Sequence, residues 1–296
     1  MPKRLLLASL LYCVSNLLYA QSKYDYNWTI GYDTSEFDET GNVILIDFNQ
    51  DTVKVNTVNT VNSFASEGST ATMSDASGKL IFYTSGCYVV NAQHEIMLNG
   101  DSINPGYIQQ YYCPFGNSPV LNGAIAIPWP DSPNHYLLFI KDYAPIIFPN
   151  EPMAFEGGSP HLYYNVIDMT KDNGLGAVVR KNQVAVEDTL CPNSIEACRH
   201  ANGRDWWVLA AKGHTNCFYA VLVTPDGVQA PQKICTGIPW NDKDQGGNPV
   251  LTPTAVNLSG STTRMASTYS TSTTRRAACQ INGSYILTTM IRTILG

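Results

Sequence analysis

The sequence predicts an all-β protein built from consecutive antiparallel meanders, and three observations lead to that prediction. Runs of aromatic and β-branched residues recur along the chain, several with the period-2 alternation of a half-buried strand. Turn signals follow one another at Gly78, Asn134 and Gly203, about 55 to 70 residues apart, which is the range of one propeller blade with insertions. The clearest copy, residues 197–227, has the order strand, turn, strand, loop, strand, turn and leaves no room for a helix.

Such meanders must stack on one another, because the apolar face of a single meander is too small to be stable alone. Four-stranded meanders stacked around an axis form a β-propeller, which protects the edges of its sheets. A β-sandwich, the alternative fold, would show turn signals at a shorter and steadier spacing. We therefore predict an incomplete, WD40-like β-propeller of about four blades over residues 21–253.

The predicted strands follow the turns in chain order. They are rich in β-branched and aromatic residues and occupy residues 41–48, 52–61, 79–84, 87–91, 123–127, 135–141, 161–169, 206–211 and 218–223. Residues 248–253 resemble the start of a further unit. The sequence thus predicts units around Gly78, Asn134 and Gly203, followed by a fourth.

The first 20 residues have the pattern of a secretory signal peptide. Lys3 and Arg4 precede an apolar stretch at residues 5–18, and Ala20 ends a plausible cleavage site. A membrane anchor is the alternative, but polar residues interrupt the apolar stretch and it is short for a spanning helix. We therefore expect an exported protein, secreted or at the outer cell surface, with no membrane span after cleavage.

The charge of the body argues against two classes of partner. All 24 Asp and Glu residues lie between residues 21 and 251, where 12 of the 18 Lys and Arg residues also lie. A net charge near −12 disfavours binding to nucleic acid or to an anionic membrane surface.

The body contains an even number of cysteines, which in an exported chain indicates disulfides more than a metal site. The candidates are Cys87, Cys113, Cys191, Cys198, Cys217 and Cys235. The spacing favours a Cys191–Cys198 pair, because the loop between them is short and costs little closure entropy. A Cys217–Cys235 pair is the next candidate, because the turn at residues 226–227 would bring two hairpin arms together.

Several motifs, in order, resemble a family of exported bacterial surface proteins. They are GKLIFYTSG at residues 78–86, NAQHEIMLNG at 91–100, YYNVIDM at 163–169, NGLGAV at 173–178 and RHANGRDWWV at 199–208. Proteins of this family carry an amino-terminal WD40-like propeller and often a gliding-motility-associated domain or a type IX secretion sorting domain at the carboxyl end. The resemblance covers about residues 28–253, and the chain departs from it by lacking the remaining blades and the sorting domain. It implies the fold and export, and it implies no activity.

No residue pattern predicts catalysis, a cofactor or a metal. Asp75, Asp131 and Asp226 lie in Gly- or Pro-bearing turns, where aspartate usually bonds its own backbone. The histidines His161, His200 and His214 match no ligand spacing, and residues 241–247 lack the late acid of a calcium loop. Trp206 and Trp207 could form a sugar-stacking platform, although aromatic residues in strands more often pack between sheets.

The end of the chain changes composition abruptly. Residues 254–296 are rich in Thr, Ser and Arg and contain no acid, which favours a disordered tail translated out of frame after Pro253, with a true low-complexity tail as the alternative.

From the whole sequence we expect a non-enzymatic module that binds a protein or glycan at the cell surface. The alternatives are a glycan-active enzyme on the same fold, or a truncated fragment without function.

Overall fold

The computed structural model describes residues 22–31, 42–60, 68–147, 155–235, 275–281 and 284–290. The predicted signal peptide, the acidic loop at 241–247 and the strand expected at 248–253 lie outside these ranges. Among the described residues, no helix is long and apolar enough to cross a bilayer.

The regular structure of the described residues is mostly antiparallel β-strand, as predicted. Its strands are β1 (Asn27–Gly31), β2 (Asn42–Asp47), β3 (Lys54–Asn59), β4 (Ala71–Ser74), β5 (Leu80–Thr84), β6 (Val89–Asn91), β7 (Ala124–Pro128), β8 (His135–Lys141), β9 (Ala144–Ile147), β10 (Phe155–Asp168), β11 (Ala177–Arg199), β12 (Trp206–Lys212), β13 (Cys217–Thr224), β14 (Gly227–Val228), β15 (Gln232–Cys235), β16 (Arg275–Ile281) and β17 (Ser284–Met290). One short helix, α1 (Tyr107–Tyr111), and two 3-10 turns (Cys113–Phe115 and Asp172–Gly174) interrupt them.

The strands group into four consecutive meanders. The first consists of β1–β2–β3 and the second of β4–β5–β6. The third consists of β7, β8, β10 and the first part of β11, and the fourth of the end of β11 followed by β12, β13 and β15. The strands predicted around Gly78 therefore belong to two meanders. The polar strand β1 was not predicted from the sequence, and it pairs with β2 to begin the first meander.

The three turns that organised the prediction have the backbone conformation that their residues favour. Gly78, Asn134 and Gly203 have φ angles of 94°, 63° and 73°, in the left-handed region. Each turn joins the first and second strand of its meander. The turn signals in the sequence therefore correctly predicted the hairpin between the first and second strands of the second, third and fourth meanders.

Each meander packs against the next through an apolar core. Val43 and Val58 of the first meander meet Tyr83 and Val90 of the second. Phe82 contributes with Leu138 to a core shared by the second and third meanders. A further core, which contains Leu137, Phe139, Val208 and Val221, joins the third meander to the fourth.

The first strands of the four meanders lie side by side. β1 contacts β4, β4 contacts β7, and β7 contacts β11. The Asn27 side chain donates to Ser74 Oγ at 2.9 Å, and the backbone N–H of Ile195 donates to the Asn122 carbonyl at 3.1 Å. Within the described residues the meanders form an open series.

Two disulfides occur among the described cysteines, and one prediction about them is wrong. Cys217 pairs with Cys235, as expected for opposed residues of β13 and β15, and Cys87 pairs with Cys113. Cys191 and Cys198 form no disulfide. Leu190, next to Cys191, pairs with Lys212, and Cys198 pairs with Trp207, so about 16 Å of strand β12 separates these two positions. The register shift between Leu190 and Ile195 accommodates the extra residues between the two cysteines.

The tail at residues 254–296 is described in part. β16 and β17 pair as an antiparallel hairpin, with Ile281 opposite Ser284. The remaining residues of the tail lie outside the described ranges. The proposed change of reading frame stays a prediction.

Candidate functional site

A hollow lies between the first strands of the second, third and fourth meanders and the amino-terminal residues 22–25. We call it the first-strand hollow; its volume is about 610 Å³. The side chains that matter most around it are Tyr24, Asp25, Thr72, Ile125, Arg199 and Trp206. Because these come from three meanders and the segment before β1, the hollow exists only once the meanders have packed together.

The wall of the hollow combines apolar residues with two opposite charges. Ile125 and Ile127 of β7 form part of the apolar wall, and Asp25 and Arg199 supply the charges. A mostly apolar cavity with a few polar groups is the usual construction of a ligand site.

Arg199 is held in place by its neighbours. Its guanidinium lies 4.7 Å from the centroid of the Trp206 ring, and Nη1 donates to the Gly203 carbonyl at 3.0 Å. Arg199 and Trp206 are opposed residues of β11 and β12, so the sheet register sets this stacking. A guanidinium fixed on an indole ring combines a flat apolar face with donors for an anionic or hydroxylated ligand.

The neighbouring turn is fixed by a charged network. Arg204 Nε donates to Asp205 Oδ1 at 2.7 Å, and Asn202 Nδ2 donates to Asp205 Oδ2 at 2.8 Å. These hydrogen bonds, that of Arg204 first, lower the pKa of Asp205. Arg204 also reaches Asp131 of the third meander at 3.5 Å, so this turn ties two meanders together.

A second exposed feature is a cluster of tyrosines between the second and third meanders. Its members are Tyr107, Tyr111, Tyr112 and Tyr143, with ring centroids 4.5 to 6.1 Å apart. Tyr111 is 50% exposed, and the Cys87–Cys113 disulfide ties this segment to the second sheet. The ring of Tyr143 lies directly on Gly157, where a side chain would collide with it.

His161, the first of the three histidines considered above, belongs to a cluster of its own. Its Nδ1 lies 2.7 Å from Asp142 Oδ2, and its backbone N–H donates to Asp142 Oδ1 at 2.8 Å. Ser159 Oγ also donates to Oδ1, at 3.2 Å. Burial nevertheless raises the pKa of Asp142 above its ordinary value.

A fully buried amine lies next to this cluster. Lys141 Nζ donates to the Cys191 carbonyl at 2.7 Å, at the point where β11 leaves the third meander for the fourth. Burial lowers the pKa of Lys141 to about 8. The hydrogen bond from Lys141 to the Cys191 carbonyl therefore stabilises the connection between two meanders, although removing the charged amine from water is unfavourable.

Glu196 and Cys198 lie on the first strand of the fourth meander. Burial raises the pKa of Glu196 to about 7. Burial, followed by the charge of Glu196, raises the pKa of Cys198 to about 11. A thiol with a raised pKa is a poor nucleophile, so Cys198 is a structural residue.

The structure separates most of the residues considered as catalytic or metal-binding candidates. Asp75 Oδ1 accepts from the backbone N–H groups of Ser77 and Lys79 at 2.8 and 3.1 Å, so it has the turn role that the sequence predicted. Asp226 also lies in a turn, next to the β13–β14 pair. The turn residue Asp131 in addition pairs with Arg204.

The three histidines do not converge. His200 lies beside the Trp207 ring at 5.7 Å, and His214 lies in a turn with a φ of 57°. In the described part of the chain, no group of three or more His, Cys, Asp or Glu side chains is arranged to hold a metal ion. The two tryptophans also separate: Trp207 packs in an apolar cluster of the fourth meander, and Trp206 borders the hollow.

Sequence reasoning did not find the hollow, although it had marked two of its residues. Arg199 and Trp206 are both within the motif at 199–208, but their stacking depends on the register of β11 and β12.

Comparison with known proteins does not identify a ligand for the hollow. No family model matches the chain, and no curated protein or solved structure is significantly similar to it.

Proposed function

We propose that this chain is an exported binding module of the β-propeller type, which binds its ligand in the first-strand hollow. The observation that carries the proposal is the convergence of three meanders and the segment before β1 on this one cavity. In a propeller the first strands of the blades surround the axis, and the row formed by β1, β4, β7 and β11 is consistent with that arrangement. The apolar cores between successive meanders support the same proposal.

Export to the cell envelope is part of the proposal. The two disulfides suit an oxidising compartment. The motifs that resemble exported bacterial surface proteins surround the turns at Gly78 and Gly203 and a stretch of β10, which are all parts of the repeated meander. A role at the cell surface, alongside a gliding or type IX secretion system, is what the resemblance suggests.

The chemistry of the hollow suits a ligand with a flat apolar face and an anionic or hydroxylated edge. Trp206 and Tyr24 offer ring surfaces, and Arg199 offers donors. Glycans and peptides with an acidic side chain both have this chemistry. The alternative function, glycan hydrolysis, would require a second carboxylate opposite Asp25 at hydrolase separation.

The test is a binding screen of the full-length exported protein on glycan and peptide panels. Replacing Arg199 by Ala is expected to weaken the binding of any hit by about tenfold, the value of a desolvated cation contact. The control is Arg180→Ala, an exposed arginine of β11 outside the hollow, which is expected to have no effect. Equal affinity of the Arg199→Ala variant and the native protein would contradict the proposed site, and turnover of a glycan hit would favour the enzyme.

A further inference from the structure

A second cleft lies away from the hollow, where β8, β10 and β11 run side by side. Its volume is about 370 Å³, and residues 158–161 and 187–189 line it. His161 and Glu187 are opposed residues of β10 and β11, so their side chains project from the same face of the sheet.

Asp142 determines which nitrogen of His161 is available. Its carboxylate accepts the Nδ1 proton at 2.7 Å and the His161 backbone N–H at 2.8 Å, so the ring is fixed on two sides. The Tyr163 ring, stacked at 5.0 Å between centroids, holds the plane of the imidazole. With Nδ1 donating, Nε2 of the neutral ring carries the lone pair, and it lies on the side of Glu187.

The distance between Nε2 and Glu187 Oε1 is 4.0 Å, too long for a hydrogen bond. Two ligand atoms that each lie about 2 Å from a tetrahedral zinc ion are about 3.3 Å apart, so the two side chains must approach by about 0.7 Å to share one ion. The Glu187 side chain is 78% exposed and can rotate to improve the fit. We propose that His161 Nε2 and Glu187 bind a divalent transition-metal ion such as Zn²⁺, with water in the remaining positions and Asp142 orienting the histidine.

With a metal bound, the arrangement would be a carboxylate–histidine–metal relay, in which an outer carboxylate fixes the orientation of the ring. Two protein ligands make a low-affinity, solvent-accessible site, in contrast to a closed structural zinc site with four. The sequence predicted no metal because the two ligands come from different strands and show no local spacing. No bond in the protein is made or broken by binding.

His135 provides a matched comparison within the same sheet. It too lies near a carboxylate, but there Asp168 Oδ2 is 3.6 Å from Nε2, while Nδ1 is 3.1 Å from the Pro133 carbonyl. Asp168 Oδ2 is also 3.8 Å from Lys171 Nζ, and Asp168 Oδ1 accepts hydrogen bonds from Thr170. A positive charge therefore already lies beside this pair, and His135 is not expected to bind a metal.

The experiment is a calorimetric titration of the full-length protein with ZnCl₂, combined with NMR of the imidazole nitrogens. We expect the Nε2 signal of His161, and not that of His135, to shift on saturation. His161→Ala and Glu187→Gln are each expected to weaken binding by at least about tenfold, and Asp142→Asn by about 10- to 100-fold. His135→Ala is expected to leave the affinity unchanged.

The Glu187→Gln variant is expected to fold normally, because this exposed side chain can be changed without disturbing the core. A loss of zinc binding in this variant is therefore not a result of misfolding. The cysteine thiols are present in every variant, so zinc bound to them does not alter the comparison. An unshifted His161 Nε2 signal at millimolar ZnCl₂, or equal affinity of the native protein and Glu187→Gln, would overturn the proposal.

Discussion

The first and third meanders have the same antiparallel pairing, yet their surroundings differ. In the third, β8 is buried on both faces: Leu137 and Phe139 pack toward the fourth meander, and Leu138 and Ile140 toward the second. In the first, one face packs on the second meander through Val43 and the other remains exposed. On that exposed face, Trp28 and Ile30 of β1 are 52% and 43% accessible.

This difference teaches that strand composition matches the position of a meander in the series. Within the described residues, β8 lies in a meander with a neighbour on each side, whereas β1 lies in the first meander, which has a neighbour on one side. A continuous apolar run such as residues 136–140 is typical of a strand buried on both faces, whereas the alternation in β1 is typical of an end sheet. The following substitutions test the comparison.

The largest effect is expected in the third meander. Leu137→Ala removes a fully buried side chain between two sheets and is expected to lower the free energy of unfolding by about 2 to 5 kcal/mol. Urea unfolding followed by tryptophan fluorescence measures it. The matched control is Val55→Ala on the exposed face of the first meander, expected to cost less than about 0.5 kcal/mol. Equal costs at the two sites would contradict the comparison.

The next effect concerns the disulfide at the other end of the series. Cys217→Ser combined with Cys235→Ser opens a loop of 18 residues and is expected to lower the free energy of unfolding by about 3 kcal/mol. Cys198→Ser, which breaks no disulfide, is the control. A double variant as stable as the control would show that β15 adds nothing to the fourth meander.

The third effect depends on pH and on the buried Lys141. Its folded pKa of about 8 lies below the ordinary 10.5, so the unfolded chain binds more protons between these values. The stability contribution of Lys141 therefore rises as the pH increases from about 8 to about 10.5, and it is lowest below pH 8. Thermal unfolding of the native protein and of Lys141→Met across this range measures it. The same slope in both proteins would disprove this assignment.

The smallest effect on stability is expected at the exposed face of the first meander. Trp28→Thr keeps a strand-forming residue and is expected to change the free energy of unfolding by less than about 0.5 kcal/mol. The same change is expected to reduce self-association, because exposed apolar sheet faces aggregate. Light scattering at several protein concentrations measures this, and unchanged scattering would indicate that the face is not adhesive.

The parts of the fold that depend on local chemistry could be predicted. Gly78, Asn134 and Gly203 favour the left-handed backbone of a tight turn, and the turn at residues 226–227 correctly suggested the Cys217–Cys235 bond. Parts that depend on distant pairing could not. The polar strand β1 forms by pairing with β2, and the first-strand hollow requires the packing of several sheets.

The error over Cys191 and Cys198 has the same cause. The short spacing suggested a closed loop, whereas Leu190 and residues 195–199 pair with β12 on either side of a register shift, and Lys141 bonds the Cys191 carbonyl. Neither partner is near in sequence. The Asp142–His161–Glu187 cluster was missed similarly, because Asp142 follows β8 whereas His161 and Glu187 lie on β10 and β11.

Strand β11 is shared by the third and fourth meanders, and this has a consequence for local opening. Residues 177–190 pair with β10 and residues 195–199 pair with β12, with a register shift between Leu190 and Ile195 inside the one strand. A fluctuation that frees either half must strain the other half, so the third and fourth meanders are expected to exchange their amide hydrogens as one cooperative unit. Among the described residues the first meander shares no strand with the second. It is joined to the second by side-chain contacts and by two backbone hydrogen bonds of the segment before β1, from Lys23 to the Ala76 carbonyl and from Ser74 to the Tyr24 carbonyl. Its amides are therefore expected to exchange through openings that leave the rest of the protein intact.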